Sequence, residues 1–177
     1  MKITSLTLLA AAVALAEAAP SKLPAPGESL ADGLWVFATD EAGNTKVDFT
    51  PHDEIANATQ LEQRSNIQKR REGCHPTVNV ASTDTDIANA RLLETWSDSI
   101  VTMGDHERRI YVYNNALSFI CAYGAGWKSK TSISSTWYYV KSQLCGVDRL
   151  GYAQVVQGDA VGDWIAGYTF NGDKYCW

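Results

Sequence analysis

The chain has 177 residues, with 20 Asp and Glu against 15 Lys and Arg, so its formal net charge is −5 at pH 7. Residues 72–177 hold eight basic and eleven acidic residues, a net charge of −3. Proteins that bind nucleic acid draw affinity from Lys and Arg side chains, which displace counterions from the phosphates. The charge balance therefore argues against nucleic acid as the main partner.

The first residues have the pattern of a secretory signal peptide. Lys2 precedes an apolar run over residues 3–16, and small residues follow before Pro20. A membrane-spanning helix needs about 20 apolar residues, and this run is shorter. We predict a signal peptide over residues 1–19 and an extracellular protein without a membrane span.

The four cysteines all follow residue 73 and are separated by 46, 23 and 30 residues. A zinc site needs closely spaced cysteine pairs, which this spacing does not provide. An even number of cysteines in a small extracellular domain instead indicates disulfides, here two bridges with three possible pairings. We predict no metal and no cofactor. The cysteines are Cys74, Cys121, Cys145 and Cys176.

A dibasic stretch, Lys69-Arg70-Arg71, lies just before the first cysteine. Such a short basic run is usually a solvated loop. Its position between a cysteine-free half and a half that holds every cysteine favours a kexin-type processing site, with cleavage after Arg70 or Arg71. We predict a propeptide over residues 20–71, a mature four-cysteine domain over residues 72–177, and a kexin-type protease as the maturation partner.

The predicted propeptide has two parts. Residues 33–50 alternate as a β-hairpin that presents Trp35 and Phe37 on one side. An isolated hairpin is barely stable in water, so it either packs on the mature domain or stays mobile. Residues 51–71 are polar and aperiodic, which predicts a disordered linker, and they contain a glycosylation sequon at Asn57.

The mature domain alternates between strand and helix patterns. The predicted elements are a strand at 77–81, a helix at 84–99 capped by Ser82, strands at 110–113 and 117–123, a loop at 124–132, a helix that starts at Ser134-Ser135 and ends at Gly146, and strands at 150–156 and 164–170. This order predicts an α+β fold, a small disulfide-bonded α/β sandwich of split βαβ (βαββαβ) type with an antiparallel sheet and one extra strand.

This fold suggests one disulfide pairing. The second helix would end beside the starts of the first and third strands, which brings Cys145 close to Cys74. Cys121 and Cys176 are then left to pair with each other.

The layout of the chain and several short motifs resemble those of small secreted proteins of filamentous fungi. The motifs are Ala122-Tyr123-Gly124 after a strand cysteine, Cys145-Gly146 at a helix end, Gly151-Tyr152 in a strand, and a cysteine near the C-terminus. This group includes candidate effectors, which implies a role in virulence, and proteins similar to the virally encoded killer toxins of smut fungi, some of which have an α/β sandwich fold. This chain has fewer cysteines than the best-known killer toxins, so toxicity does not carry over, and the resemblance implies no catalytic residues.

Groups that could carry out catalysis are few. His106, Glu107 and Arg108 lie in the densest ionisable cluster, and secreted fungal ribonucleases use a His, Glu and Arg constellation. Adjacent residues of a strand point to opposite faces, however, so a polar loop that enters a strand explains the cluster equally well. Asp159 and Asp163 could act as a carboxylate pair, although aspartates beside glycines usually form turns.

Aromatic residues are abundant, at 15 of the roughly 106 residues of the mature domain. Five of them cannot all fit inside so small a core, and exposed Trp and Tyr favour binding to a protein or a surface glycan. The alternative is that large rings fill a thin core. The five are Trp127, Trp137, Tyr138, Tyr139 and Trp177.

These features favour a secreted effector or toxin-like protein that binds a host or competitor molecule without catalysis. Two alternatives stay open, namely a small secreted hydrolase such as a ribonuclease, and a module that binds cell-wall polysaccharide. Whether the protein is an enzyme is not decided by the sequence.

Overall fold

The computed structural model describes residues 28–54, 71–155 and 163–176. Within them lie two α-helices and nine strands. In chain order these are β1 (Gly33–Thr39), β2 (Thr45–Pro51), β3 (Glu72–Asn79), α1 (Ser82–Glu94), β4 (Ile100–Met103), β5 (Arg108–Tyr113), β6 (Ala116–Ala122), β7 (Gly126–Ser129), α2 (Lys130–Tyr139), β8 (Arg149–Val155) and β9 (Trp164–Phe170).

Several sequence predictions fall on residues outside the described ranges. They concern the signal peptide over 1–19, the sequon at Asn57, two of the three processing residues, one of the paired carboxylates and one of the aromatic candidates. The residues are Asn57, Lys69, Arg70, Asp159 and Trp177.

Seven strands form one antiparallel sheet in the order β2-β1-β5-β6-β9-β8-β3. Both helices pack on one face, called here the helical face, where Leu92, Ile133 and Tyr168 belong to one apolar cluster. Alternate strand residues point to the second face, where Ile110 and Phe119 belong to another cluster. Because successive side chains of a strand point to opposite faces, the sheet carries a separate apolar core on each face.

The chain forms a disulfide-bonded α+β fold with an antiparallel sheet, as the coarse prediction stated. The predicted βαββαβ order is not confirmed. The strand expected as an extra, β9, lies inside the sheet between β6 and β8. Gly167 permits this close packing, because a Cβ atom there would lie 2.5 Å from the Gly151 carbonyl oxygen and 2.6 Å from the Phe119 ring.

Helix α1 begins near its predicted start and ends five residues before the predicted residue 99. Its first residue, Ser82, does not act as the cap. Instead, the Ser82 backbone N–H donates to the Asp148 carboxylate at 2.9 Å, from the turn before β8. The helix stops because Trp96 turns into the core, with 8% of its surface exposed, and its indole N–H donates to the Thr102 carbonyl at 3.3 Å.

Helix α2 begins at Lys130, four residues before the predicted Ser134-Ser135 start. Ser129 caps it, because its hydroxyl accepts from the Ser132 N–H at 3.0 Å. The helix continues into a π-helical turn at Val140–Leu144. Gly146 follows with φ 92°, a left-handed conformation that suits a glycine after a helix end, as predicted.

Strands β4 and β7 form a separate two-stranded antiparallel ribbon. Neither was predicted: β4 lies at the end of the predicted first helix, and β7 lies within the predicted loop at 124–132. Both are only four residues long. They pair across a long stretch of chain, which a local pattern does not reveal.

The structure forms the two disulfides of the predicted pairing. Cys74–Cys145 joins β3 to the end of the π-helical turn, and its Cα atoms are 5.5 Å apart. Cys121–Cys176 joins β6 to the C-terminal tail on the second face, with Cα atoms 5.7 Å apart. Each bridge therefore fixes an irregular segment onto the sheet.

The hairpin of β1 and β2 is part of the main sheet. Its seven residue pairs run from Gly33↔Pro51 to Thr39↔Thr45, and β1 also pairs with β5. Of the two alternatives left open by the sequence, the structure shows the hairpin packed on the rest of the chain. A short 3₁₀ turn, His52–Glu54, follows it.

Candidate functional site

The structure separates the predicted aromatic surface into core and surface residues. Trp137 was expected at the surface and this is wrong: it is only 4% exposed, because α2 turns it into the helical-face core. Tyr139 is half-buried, and its hydroxyl donates to the Glu72 carboxylate at 3.0 Å. Trp127 and Tyr138 remain at the surface, 38% and 57% exposed.

Trp127 lies on the outer face of the β4–β7 ribbon. It is opposite Thr102, which is also exposed, and Ile100 lies on the same face and is 41% exposed. We call these three residues the ribbon patch. The paired residues Val101 and Lys128, which are next to patch residues in the chain, are buried underneath. The alternation of β4 residues 100–103 was the sequence signal that could have pointed to Ile100.

The ribbon is held to the body of the protein by contacts at and beside the ends of its strands. The Lys130 backbone N–H donates to the Ser99 carbonyl at 2.8 Å, and its ammonium donates to the Trp96 carbonyl. The Lys128 ammonium lies 5.6 Å from the centroid of the Trp164 ring, whose indole N–H donates to the Gly124 carbonyl at 3.0 Å. The backbone beneath the ribbon patch is therefore ordered before binding, which reduces the conformational entropy lost when a partner binds.

The predicted ionisable cluster divides between two sides of the sheet. Glu107 is 9% exposed and accepts from the Gly104 N–H and from the Arg109 Nε, each at 2.6 Å. The Arg109 guanidinium then lies 4.3 Å from the Trp96 ring centroid. Glu107 thus closes the turn into β5, and its carboxylate does not join the imidazole of His106, which lies in that turn with φ 53°.

His106 and Arg108 line one cavity of about 170 Å³ on the second face. Tyr123, Thr39 and the Cys121–Cys176 disulfide complete its walls. The Arg108 guanidinium lies 5.4 Å from the Phe37 ring centroid, and none of the ion pairs among the described residues includes it.

Arginine charges act on the tyrosine that lines this cavity. Burial raises the pKa of the Tyr123 hydroxyl, while the positive charges of Arg71 and Arg108 act in the opposite direction. The imidazole of His106 lies 3.8 Å from the exposed Asp105 carboxylate. A guanidinium, a phenol and an imidazole around one cavity can hold a carboxylate or phosphate group. A catalytic carboxylate is not among its lining residues, because Glu107 points to the other side of the sheet.

Asp163, the described member of the predicted carboxylate pair, accepts from the Gln154 side-chain amide at 2.8 Å. Across residues 28–54, 71–155 and 163–176, no three His, Cys, Asp or Glu side chains are grouped so as to hold a metal ion. No helix in these ranges is long and apolar enough to cross a membrane.

Comparison with protein-family models, curated proteins and solved structures finds no match to this chain.

Proposed function

We propose that the chain is a secreted effector or toxin-like protein that binds a host or competitor protein through the ribbon patch, without catalysis. The observation that carries this proposal is the exposure of Trp127 and Ile100 on the same face of a fixed ribbon. Tryptophan is the residue most enriched among the few side chains that dominate protein interfaces. The two disulfides are compatible with an oxidising extracellular compartment.

The chemistry of the ribbon patch favours a protein partner over a glycan. Ile100 is aliphatic and offers no hydrogen bond to a sugar hydroxyl. Sugar sites combine a flat ring with several polar side chains, and here Thr102 is the one polar member.

The proposal includes the predicted maturation. The signal peptide over residues 1–19 directs secretion, the Asn57 sequon carries a glycan during export, and a kexin-type protease cleaves after Arg70 or Arg71. All four cysteines lie beyond that cut, which supports a mature domain with its own covalent framework.

The test is saturable binding of the fluorescently labelled protein to the surface of candidate host and competitor cells. Trp127→Ala should weaken binding by about 30-fold, the loss expected for a residue that dominates an interface. Tyr138→Ala is the matched control, because it removes another exposed ring that lies on α2 outside the ribbon patch, and it should bind normally if the ribbon patch alone is the binding surface.

Treatment of the cells with trypsin identifies the class of receptor. Loss of binding after trypsin supports a protein receptor. Binding that survives trypsin and is captured on insoluble chitin or glucan identifies a polysaccharide-binding module instead. Equal binding by Trp127→Ala and the unmodified protein contradicts a role for the ribbon patch.

A second candidate function is hydrolysis of an anionic substrate such as RNA, favoured by the shared cavity of His106, Arg108 and Tyr123. Arg108 would hold the phosphate and His106 would transfer the proton. Cleavage of labelled RNA that is lost in both His106→Ala and Arg108→Ala, and kept in Tyr138→Ala, supports this function. No cleavage by the unmodified protein contradicts it.

A further inference from the structure

The hairpin of β1 and β2 forms one edge of the main sheet and pairs with the body of the protein through β5. Strand β1 pairs with β5 over five residues, from Gly33↔Val112 to Phe37↔Arg108. Its other edge is occupied by β2. Residues 33–37 thus pair with the backbone N–H and C=O groups along one edge of β5. Without β1, these groups would have no strand partner.

The hairpin also supplies part of the second core. Trp35 and Phe37 are 4% and 6% exposed and belong to the same cluster as Ile110, Val112 and Phe119. The Trp35 ring packs against Phe49 of β2 in a tilted arrangement, with ring centroids 4.4 Å apart. Separation of the hairpin would return these two large rings to water and uncover their partners on β5 and β6.

Hydrogen bonds fix both ends of residues 28–54 to the rest of the chain. At the start, the Leu30 N–H donates to the Asn171 side-chain oxygen at 2.8 Å, and the Asn171 amide donates to the Leu30 carbonyl at 2.7 Å. At the end, the His52 ring is hydrogen-bonded to the Tyr111 hydroxyl. Asp32 adds a fourth bond, because its carboxylate accepts from the Asn114 N–H at 3.0 Å.

No disulfide links the hairpin to the body, since both bridges lie within residues 74–176. We infer that cleavage at Lys69-Arg70-Arg71 does not release the propeptide. The product is a two-chain protein in which a hairpin chain containing residues 28–54 stays bound, without a covalent link, to the disulfide-bonded chain. This inference rests on the processing step of the proposed function.

Retention of the hairpin chain has a consequence for the cavity beside Arg108. Thr39 forms part of its wall, and Phe37 lies beneath the Arg108 guanidinium. A protein that kept the hairpin chain would keep this cavity intact. A protein that lost it would open the cavity at one side.

Native mass spectrometry of the cleaved full chain tests the inference. The chain is cut with purified kexin-type protease at neutral pH, and the native mass is compared with the mass under denaturing, non-reducing conditions. We expect two chains when denatured and one species with their summed mass when native, at micromolar and at nanomolar concentration. A native species that holds the disulfide-bonded chain alone overturns the inference.

A second variant separates retention from processing. If the protease fails to cut, the processing step of the proposed function is wrong, and retention is then tested in a chain whose residues 58–66 are replaced by the recognition sequence of a specific laboratory protease. For that cut chain too, a native species with the summed mass supports retention, and a native species with the disulfide-bonded chain alone overturns it.

Point variants show whether the observed contacts hold the chains together. Phe37→Ala should weaken the association of the cut chains by about 100-fold or more, the loss expected for a buried ring. Asn171→Ala, which removes both bonds to Leu30 and leaves the core intact, should weaken it by about tenfold. Lys46→Ala is the matched control, since its side chain is 71% exposed on β2, and it should associate normally. Equal association of all three contradicts the assigned contacts.

Discussion

Glu107 illustrates how neighbouring residues acquire different roles. Its carboxylate accepts two hydrogen bonds at 2.6 Å, from the Gly104 N–H and the Arg109 guanidinium, on the side of the sheet away from His106. His106 itself is exposed. A structural carboxylate and a surface imidazole therefore lie next to each other in the chain.

The first prediction concerns this pair. Glu107→Ala should lower the free energy of unfolding by about 2–3 kcal/mol, because it removes charge-assisted hydrogen bonds and leaves Arg109 without its carboxylate partner. His106→Ala should change it by less than about 0.5 kcal/mol, as is usual for an exposed side chain. Urea denaturation measures both. Equal effects of the two substitutions would show that Glu107 is not the structural member.

The second prediction concerns buried tyrosines. Burial raises the pKa of Tyr111 and of Tyr175 to about 12, above the ordinary value of 10.0. A pKa that is higher in the folded state means that the folded protein holds its phenolic protons more tightly. Stability should therefore be unaffected below pH 10, and it should fall between pH 10 and pH 12 by up to about 1.4 kcal/mol per pH unit for each tyrosine.

Denaturation midpoints measured from pH 8 to pH 12 test this. Tyr111→Phe should flatten the alkaline part of the curve. If neither Tyr111→Phe nor Tyr175→Phe changes the slope of stability against pH, other groups cause the loss of stability at alkaline pH.

At the scale of elements, local patterns located the helices, while distant residues set their ends. Asp148 supplies the first-turn acceptor of α1 from a turn 66 positions further along the chain, so Ser82 is not needed as the cap. The early end of α1 accompanies a contact with β4, because the Trp96 indole N–H donates to the Thr102 carbonyl. Sequence periodicity does not contain either contact, which explains why the predicted boundaries were displaced.

The third prediction tests the remote cap. Asp148→Ala should destabilise the protein by about 1 kcal/mol, because the first turn of α1 loses its acceptor. Asp148→Asn keeps an acceptor oxygen and tolerates the left-handed backbone at φ 66°, so most of the stability should remain. Thermal unfolding measures both. Equal losses in the two variants would mean that the side-chain oxygen does not cap the helix.

The candidate site was only partly predictable for the same reason. The period of two along a strand predicted that neighbouring residues of the cluster would diverge. His106 and Glu107 do diverge, but they lie in the turn before β5 and not in the strand itself. The cavity depends on Thr39 from β1 and Tyr123 after β6, which come together only in the folded sheet. Trp137 carries the same side chain as Trp127, but α2 turns Trp137 into the core, whereas the β4–β7 ribbon leaves Trp127 at the surface.

At the scale of the whole molecule, the predicted processing site does not coincide with a boundary of the fold. Seven strands from both sides of it form one sheet, with two from residues 33–51 and five from residues 72–170. The positions of the cysteines and of the dibasic run predicted that the chain is cleaved into a cysteine-free part and a disulfide-bonded part. They carried no information on whether Trp35 and Phe37 belong to the same core as Ile110 and Phe119.

Hydrogen–deuterium exchange of the uncut and the cut protein tests most directly that this sheet is one unit. We predict that the amides of β1 and of β5 exchange slowly in both forms and at similar rates, because each strand keeps its neighbours after the cut. Rapid exchange of the β1 amides in the uncut chain would contradict the single sheet. If the β1 amides exchange rapidly only after the cut, the single sheet of the uncut chain stands, but the hairpin chain is not retained after cleavage.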